Sequence, residues 1–270
     1  MSDARISIPE ARISAGDVRV TMPGTESGPL LECVDVAVGY EKPVLQHANI
    51  QIGRGEIVAL LGGSGCGKST LLRTLVGLVP PLAGQVMLFG QSMYELEPNA
   101  RDKLRKRIGI AFQQDALFSS MTIEDNVALP LRELTKLPGD IIKEMVRMRL
   151  ALVGIAELGR RLPANISGGQ RKRAALARAS ILDPELIFCD EPTAGLDPVV
   201  AAEVDATLVK FRDALGSSIV LVSHELESIR ATANRGIMLA RGAVAAIGTI
   251  DELTHSRDEA VHQFFHARNE

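Results

Sequence analysis

Ile57-Val-Ala-Leu-Leu61-Gly62-Gly-Ser-Gly-Cys-Gly67-Lys68-Ser69-Thr70 is the stretch that decides how this 270-residue sequence is read. Five apolar residues without alternation predict a short strand buried on both faces. The helix-forming run Thr70 to Leu78 follows, and the residues between satisfy G-x-x-x-x-G-K-[ST]. Glycines there free the backbone to turn its N–H groups toward phosphate oxygens, and the helix start aims its positive dipole end at the same anion. Lys68 is placed to reach the β- and γ-phosphates, and the Ser69 hydroxyl to hold Mg²⁺. Gly62, Gly63, Ser64, Gly65, Cys66, Gly67, Lys68, Ser69 and Thr70 are therefore the candidate nucleotide contacts. At Cys66 any small side chain would serve.

Outward from the loop, strands and helices alternate, which argues for a mainly parallel sheet covered by helices. Val34, Val36, Val38 and Tyr40 alternate with Asp35, Ala37 and Gly39, predicting a half-buried strand. Ile50 and Ile52 mark a second strand, Val86 and Leu88 an edge strand, and Ile108 to Phe112 a central one. Residues 114–165 change character. Thr122-Ile-Glu-Asp125 fits a capping box with Asp in place of Glu, opening a helix that Pro130 bends or ends. Ile141, Met145, Met148 and Leu152 recur at helical spacing after Pro138-Gly139-Asp140. Leu186 to Cys189 and Ser218 to Val222 are two more buried-type strands, separated by a helix from Val199 to Leu215. Arg241-Gly242 reads as a hairpin turn, and Val261, Phe264 and Phe265 as one face of a terminal helix.

Asp190 and Glu191 follow the strand that begins at Leu186, at the edge where open parallel sheets bind ligands. With a phosphate loop earlier in the chain, Asp190 becomes a candidate magnesium ligand and Glu191 a candidate general base for a water beyond the γ-phosphate. Gln113 and His224 end two further strands and can add polar groups there. Ser167-Gly168-Gly169-Gln170 opens a second helix with an anion-receiving start. One nucleotide does not need two such sites, so this motif is expected to face the ATP of a second copy in a head-to-tail pair.

With these residues in place, the sequence from about Leu30 to about Ile250 resembles the nucleotide-binding subunits of ABC transporters. The resemblance implies an α/β P-loop NTPase fold with an antiparallel β subdomain and an inserted α-helical subdomain. It makes Tyr40 the adenine-stacking aromatic, Gln113 the Q-loop glutamine and a magnesium contact beside Ser69 and Asp190, and Ser167 to Gln170 the signature. Glu191 becomes the catalytic glutamate, Ala194-Gly-Leu-Asp197 the D-loop and His224 the switch histidine. The signature opens with Ile166 where leucine is usual. Ala116 to Glu133, Arg171-Lys-Arg173, Pro192 to Pro198 and Val261 to Phe265 are further similar to ATPases of the Mla and Mkl group, which work with MCE-domain proteins in lipid trafficking.

Implied domains are a leader at 1–28, the ATPase domain at 29–250 with a helical and signature subdomain at 114–182, and a helical tail at 251–270. Implied cofactors are ATP and Mg²⁺. Implied partners are a second copy of the chain, integral membrane permease subunits and an MCE-domain lipid-binding protein. The location expected is the cytoplasmic face of the inner membrane, held there through the permease. A small-solute importer ATPase, or a soluble ABC ATPase in nucleic-acid or iron–sulfur processes, carries the same nucleotide motifs.

Composition narrows the choice. Hydrophobic residues make up 46% and charged residues 23%, the balance of a chain with a true core. A net charge of −3 and a pI near 6.0 give no electrostatic reason for a nucleic-acid surface. The run Ile57 to Leu61 stops far short of the roughly 18 apolar residues of a membrane span. Cys33, Cys66 and Cys189 lack a CxxC pair and read as reduced thiols. His262 and His266, four apart without a third ligand, read as a solvated helix face rather than a metal site.

Overall fold

The computed structural model describes residues 28–113 and 115–266. The expected leader, apart from Gly28, lies outside the described residues. Two antiparallel strands come first, β1 (Leu31–Gly39) and β2 (Pro43–Ile52). The buried strand of the phosphate loop is β3 (Ile57–Leu61), and α1 (Lys68–Leu75) starts at the loop's lysine. Then come β4 (Ala83–Leu88), the two-residue β5 (Gln91–Ser92), α2 (Pro98–Arg105) and β6 (Ile108–Ala111). A helical segment follows, α3 (Ile123–Leu134), α4 (Gly139–Leu152) and α5 (Gly168–Ser180). The chain returns to the sheet with β7 (Leu186–Asp190), α6 (Pro198–Leu215), β8 (Ser218–Val222), α7 (Leu226–Thr232), β9 (Arg235–Ala240) and β10 (Ala243–Thr249). It closes with α8 (Ile250–Thr254) and α9 (Glu259–His266).

Among the described residues the strands form two sheets. The smaller is antiparallel in the order β2-β1-β4-β5, and the larger runs β10-β9-β3-β8-β7-β6 with only β10 antiparallel to its neighbour. Val58 and Leu60 face the smaller sheet and α1, in one core with Leu31, Val36, Leu45, Ile50, Leu71 and Leu75. The opposite face of the large sheet is covered twice. Ile57, Ile187, Cys189, Ile219 and Leu221 pack under the helical segment and α6, while Ala59 and Leu61 pack on Ile229, Val261 and Phe265. Apolar contact on both faces is why β3 shows no alternation. The tail helix α9 docks on its own domain through Val261 and Phe265, and His262 and His266 stack on each other at 4.1 Å.

Several readings of the sequence need correction. Asp35 has φ 52°, a left-handed residue that bulges β1 and reverses its alternation. The buried set is consequently Leu31, Cys33, Val36 and Val38, while Val34 and Tyr40 are 46% and 62% exposed. The strand around Val86 lies between β1 and β5 instead of at an edge, and β6, read as central, is the edge strand of the large sheet. Its apolar character comes from α2 and α5: Gly109 lies so close to the Ala179 carbonyl that a side chain could not fit.

In α4 the buried residues are Ile142, Val146, Arg149 and Leu150; of the apolar stripe Ile141, Met145, Met148 and Leu152, Met145 and Leu152 pack against the core half-buried, while Ile141 and Met148 are exposed. Arg149 is the polar member of the buried face. Its buried guanidinium donates to the Ser180 carbonyl and pairs with Asp183, a reason for burial that hydropathy does not register. Pro130 does not end α3, which runs on to Leu134. At its start Thr122 accepts from the Asp125 N–H at 3.2 Å, and the shorter Asp side chain accepts from the Thr122 hydroxyl instead of the backbone N–H that a Glu would reach. The Arg241-Gly242 hairpin forms as read, with φ 52° and 75°.

Candidate functional site

Parallel pairing of β3, β8, β7 and β6 brings four strand ends to one edge: Leu60 is level with Val222, Val222 with Asp190, and Cys189 with Ala111. The residues that follow those strands are Gly62, Ser223-His224, Glu191 and Gln113. Four separate sequence positions thus meet for a reason of topology.

The loop after β3 is a cradle of main chain. Gly62, Gly65 and Gly67 have φ of 143°, 76° and 100°, a region that a Cβ disfavours, and a side chain at Gly62 would also strike the Leu239 carbonyl and Cys66. At Gly63 and Gly65 a Cβ would meet only open space. Lys68 folds back over the loop and donates to the carbonyls of Gly62 at 2.6 Å and Gly63 at 3.0 Å. A cavity lined by this loop, Val44, Glu191, His224 and Phe264 opens above it. Val44 and Phe264 were not singled out from sequence as cavity-lining residues. No motif marks Val44, and Phe264 is read from sequence as part of a terminal helix face.

Glu191 is the hub on the far side. Its carboxylate accepts from Gln113 Nε2 at 2.8 Å and meets His224 Nδ1 at 3.2 Å. Its backbone has φ 48° and its N–H donates to the Val222 carbonyl at 2.9 Å, so the chain turns sharply where the strand ends. Left-handed backbone at a residue with a side chain is kept only where the surroundings impose it, and such residues cluster at functional sites.

Burial, and then the neighbouring Glu191, raise the Asp190 carboxyl above its ordinary value, opposed by the positive charges of Arg73, Lys172 and Lys68. The Ser69 hydroxyl and the Glu191 carboxylate line the same cavity, with Asp190 the residue before Glu191, and hydroxyl and carboxylate oxygens are donors that suit a hard cation such as Mg²⁺. Beneath them, burial pushes the Cys189 thiol up to about 12, so it stays neutral. Arg73 also donates to the exposed Tyr40 hydroxyl at 2.9 Å, a link between α1 and the end of β1 that the sequence did not suggest.

Other candidates stand apart from the cavity. Tyr40, Ser167 to Gln170 and Asp197 do not line it, and neither do Gln113, which reaches Glu191 from beside it, and Asp190, the residue before Glu191. Ser167 caps α5 by accepting from the Gln170 N–H at 3.3 Å, and Gln170 returns the bond by accepting from the Ser167 N–H at 2.9 Å. Gly168 is half-buried against Leu196, and a Cβ at Gly169 would collide with Val200 of α6. Asp197 caps α6, accepting from the N–H groups of Val199 and Val200 at 3.1 Å each. The glycine motif and Asp197 thus form one packed corner, and its helix start carries no group of this chain's own phosphate loop.

Comparison with known proteins agrees with this geometry. The model of a family described as ABC transporter matches residues 45–194. The intermembrane phospholipid transport system ATP-binding protein MlaF of Haemophilus influenzae is 38% identical over 224 residues, 83% of this chain and 85% of that protein. MlaF of Escherichia coli K12 is 36% identical over 82% of each chain. The probable ribonucleotide transport ATP-binding protein mkl of Mycobacterium tuberculosis is 38% identical over 83% of this chain and 63% of its own length. Among solved structures, cbiO1 from Clostridium perfringens, part of the ABC transporter complex cbiONQ, superposes with a TM-score of 0.77 at 31% identity, covering 84% of this chain and 90% of that one. The ATP-binding cassette MJ0796, in a dimeric post-hydrolysis state bound to ADP and Pi, gives 0.74 at 29% identity, covering 81% and 98%.

Proposed function

This chain belongs to the ABC transporter family as an ATP-hydrolysing subunit, and on that premise we propose that it powers the movement of phospholipid or a related lipid through a separate membrane permease. The observation that carries the lipid reading is identity of 36–38% to two phospholipid-transport ATP-binding proteins along more than four fifths of both chains. No helix among the described residues is long and apolar enough to cross a membrane, which supports a peripheral subunit that needs a membrane-embedded partner.

In the mechanism we infer, Gly62 to Thr70 wrap the phosphates and Lys68 exchanges its two carbonyl partners for phosphate oxygens. Tyr40 offers a face to the adenine. Ser69, Asp190 and Gln113 would hold Mg²⁺, which supplies charge neutralisation at the phosphates. Glu191 accepts the proton of the attacking water, oriented by Gln113 and His224 on its two carboxylate oxygens. Ser167, Gly168, Gly169 and Gln170, with Asp197, face the nucleotide of a second copy, so two ATP molecules close a head-to-tail dimer and hydrolysis releases it. Closing and opening pass to the permease through α3 and α4.

The test is isolation of the tagged full chain from native membranes in mild detergent. An integral membrane permease, an MCE-domain protein and phospholipid are expected in the complex. A small-solute-binding protein without lipid would favour the importer reading. Recovery with ribosomes or a soluble scaffold would overturn transport.

A further inference from the structure

Arg171-Lys172-Arg173 follows the second glycine motif, and besides the charge that Lys172 sets against Asp190, its contacts lead to Gln113. Lys172 is only 8% exposed. Its ammonium donates to the main-chain carbonyl of Gln113 and lies 3.1 Å from the Asp115 carboxylate. Farther along α5, Arg178 donates to the carbonyls of Asp115 at 3.0 Å and Ala116 at 2.7 Å, and Arg171 lies 3.6 Å from Asp115. Asp115 and Ala116 sit at φ 60° and 49°, where residues with a Cβ stay only if their surroundings hold them. The surroundings here are basic side chains of α5.

Burying a lysine ammonium is costly without hydrogen-bond and charge partners, and an apolar residue would pack α5 more cheaply. What the lysine adds is a fixed distance between two functional groups. At one end of the connection Gln113 Nε2 rests on Glu191. At the other, Ser167 caps the same helix, about 7.5 Å along the axis from Lys172 at 1.5 Å per residue.

We propose that Lys172, with Arg178, is a positioning residue that latches the segment after β6 onto α5, so that Gln113 and the Ser167 to Gly169 motif move as one body. This rests on the roles given above to Gln113 and to the glycine motif. The latch joins a group at the chain's own ATP to the surface presented to its partner's ATP. A change at one is felt at the other through the bonds of Lys172 to Gln113 and Asp115 and of Arg178 to Asp115 and Ala116.

The test compares Lys172→Met, Lys172→Arg, Gln113→Ala and the Lys172→Met/Gln113→Ala double variant of the full chain. In nucleotide-free protein, hydrogen exchange of the amides in 115–118 is expected to quicken at least 10-fold in Lys172→Met and to stay near wild type in Lys172→Arg. At saturating Mg²⁺, Lys172→Met is expected to lower kcat about 10-fold or more with KM for ATP within threefold. In the Gln113→Ala background the same substitution is expected to change kcat less than twofold, because its effect passes through Gln113. Unchanged exchange, or a full multiplicative loss in the double variant, overturns the latch while leaving the role of Gln113 intact. Wild-type kcat in Gln113→Ala overturns the role of Gln113 and the latch with it. If Lys172→Met does not fold, Asp115→Asn removes the same ion pair and is read against the same outcomes.

Discussion

Replacing Glu191 by glutamine isolates the charge of one carboxylate. The amide is isosteric: its oxygen can still accept from Gln113 Nε2, and its NH₂ can donate to His224 Nδ1, so the 2.8 Å and 3.2 Å contacts both survive in form. What is lost is the ability to take a proton from water. A positioned general base contributes roughly 10²- to 10⁴-fold, or about 2.7–5.5 kcal/mol of barrier. Ground-state binding should move the other way, because the cavity loses one negative charge facing the γ-phosphate and Asp190 loses the neighbour that raises its carboxyl. Single-turnover hydrolysis with labelled ATP, alongside equilibrium binding of a fluorescent ATP analogue, separates the two effects. The expected result is a rate lower by at least a hundredfold with affinity equal or tighter. Turnover within threefold of wild type, or a matched loss of affinity and rate, would refute the assignment of Glu191 as base.

Two further substitutions probe the frame around the site. Gly169→Ala places a methyl against Val200 and is expected to lower unfolding stability by about 1–3 kcal/mol, the usual cost of overpacking, with Val200→Ala restoring most of it in denaturant titrations. Asp190 has a raised carboxyl in the fold, so as pH climbs from the ordinary Asp value of about 3.9 to the raised value the unfolded chain releases its proton first and stability falls. Asp190→Asn is accordingly expected to raise the Tm of nucleotide-free protein at pH 7, with the gain vanishing on acidification below the ordinary value. An unchanged Tm at neutral pH would contradict the crowding of the two carboxylates.

Much of this site was legible because parallel-sheet topology converts strand ends into neighbours. Once Ile57 to Leu61 and Leu186 to Cys189 are read as buried parallel strands of one sheet, Gly62 and Glu191 share an edge, and both line the same cavity. Two of the readings that failed share another cause. Hydropathy periodicity assumes that apolar means inward, and it slips where a polar group is buried with a partner or a residue is inserted. In α4 Arg149 is buried while Met148 of the apolar stripe is exposed, and the bulge at Asp35 reversed the alternation of β1. The contact made by Lys172 is equally invisible to hydropathy. A charged residue on a helix reads as solvated, and only the fold reveals that its ammonium sits on the carbonyl of Gln113.

The head-to-tail dimer is the claim on which the roles of Ser167 to Gln170 and Asp197 depend. Its most direct test is light scattering of the Glu191→Gln protein with and without ATP and Mg²⁺, beside the same protein carrying Ser167→Arg. The expected result is monomer without nucleotide and dimer with it, and a Ser167→Arg variant that binds ATP yet stays monomeric. Saturation with ATP without any change of mass, or dimerisation indifferent to the arginine, would contradict the account.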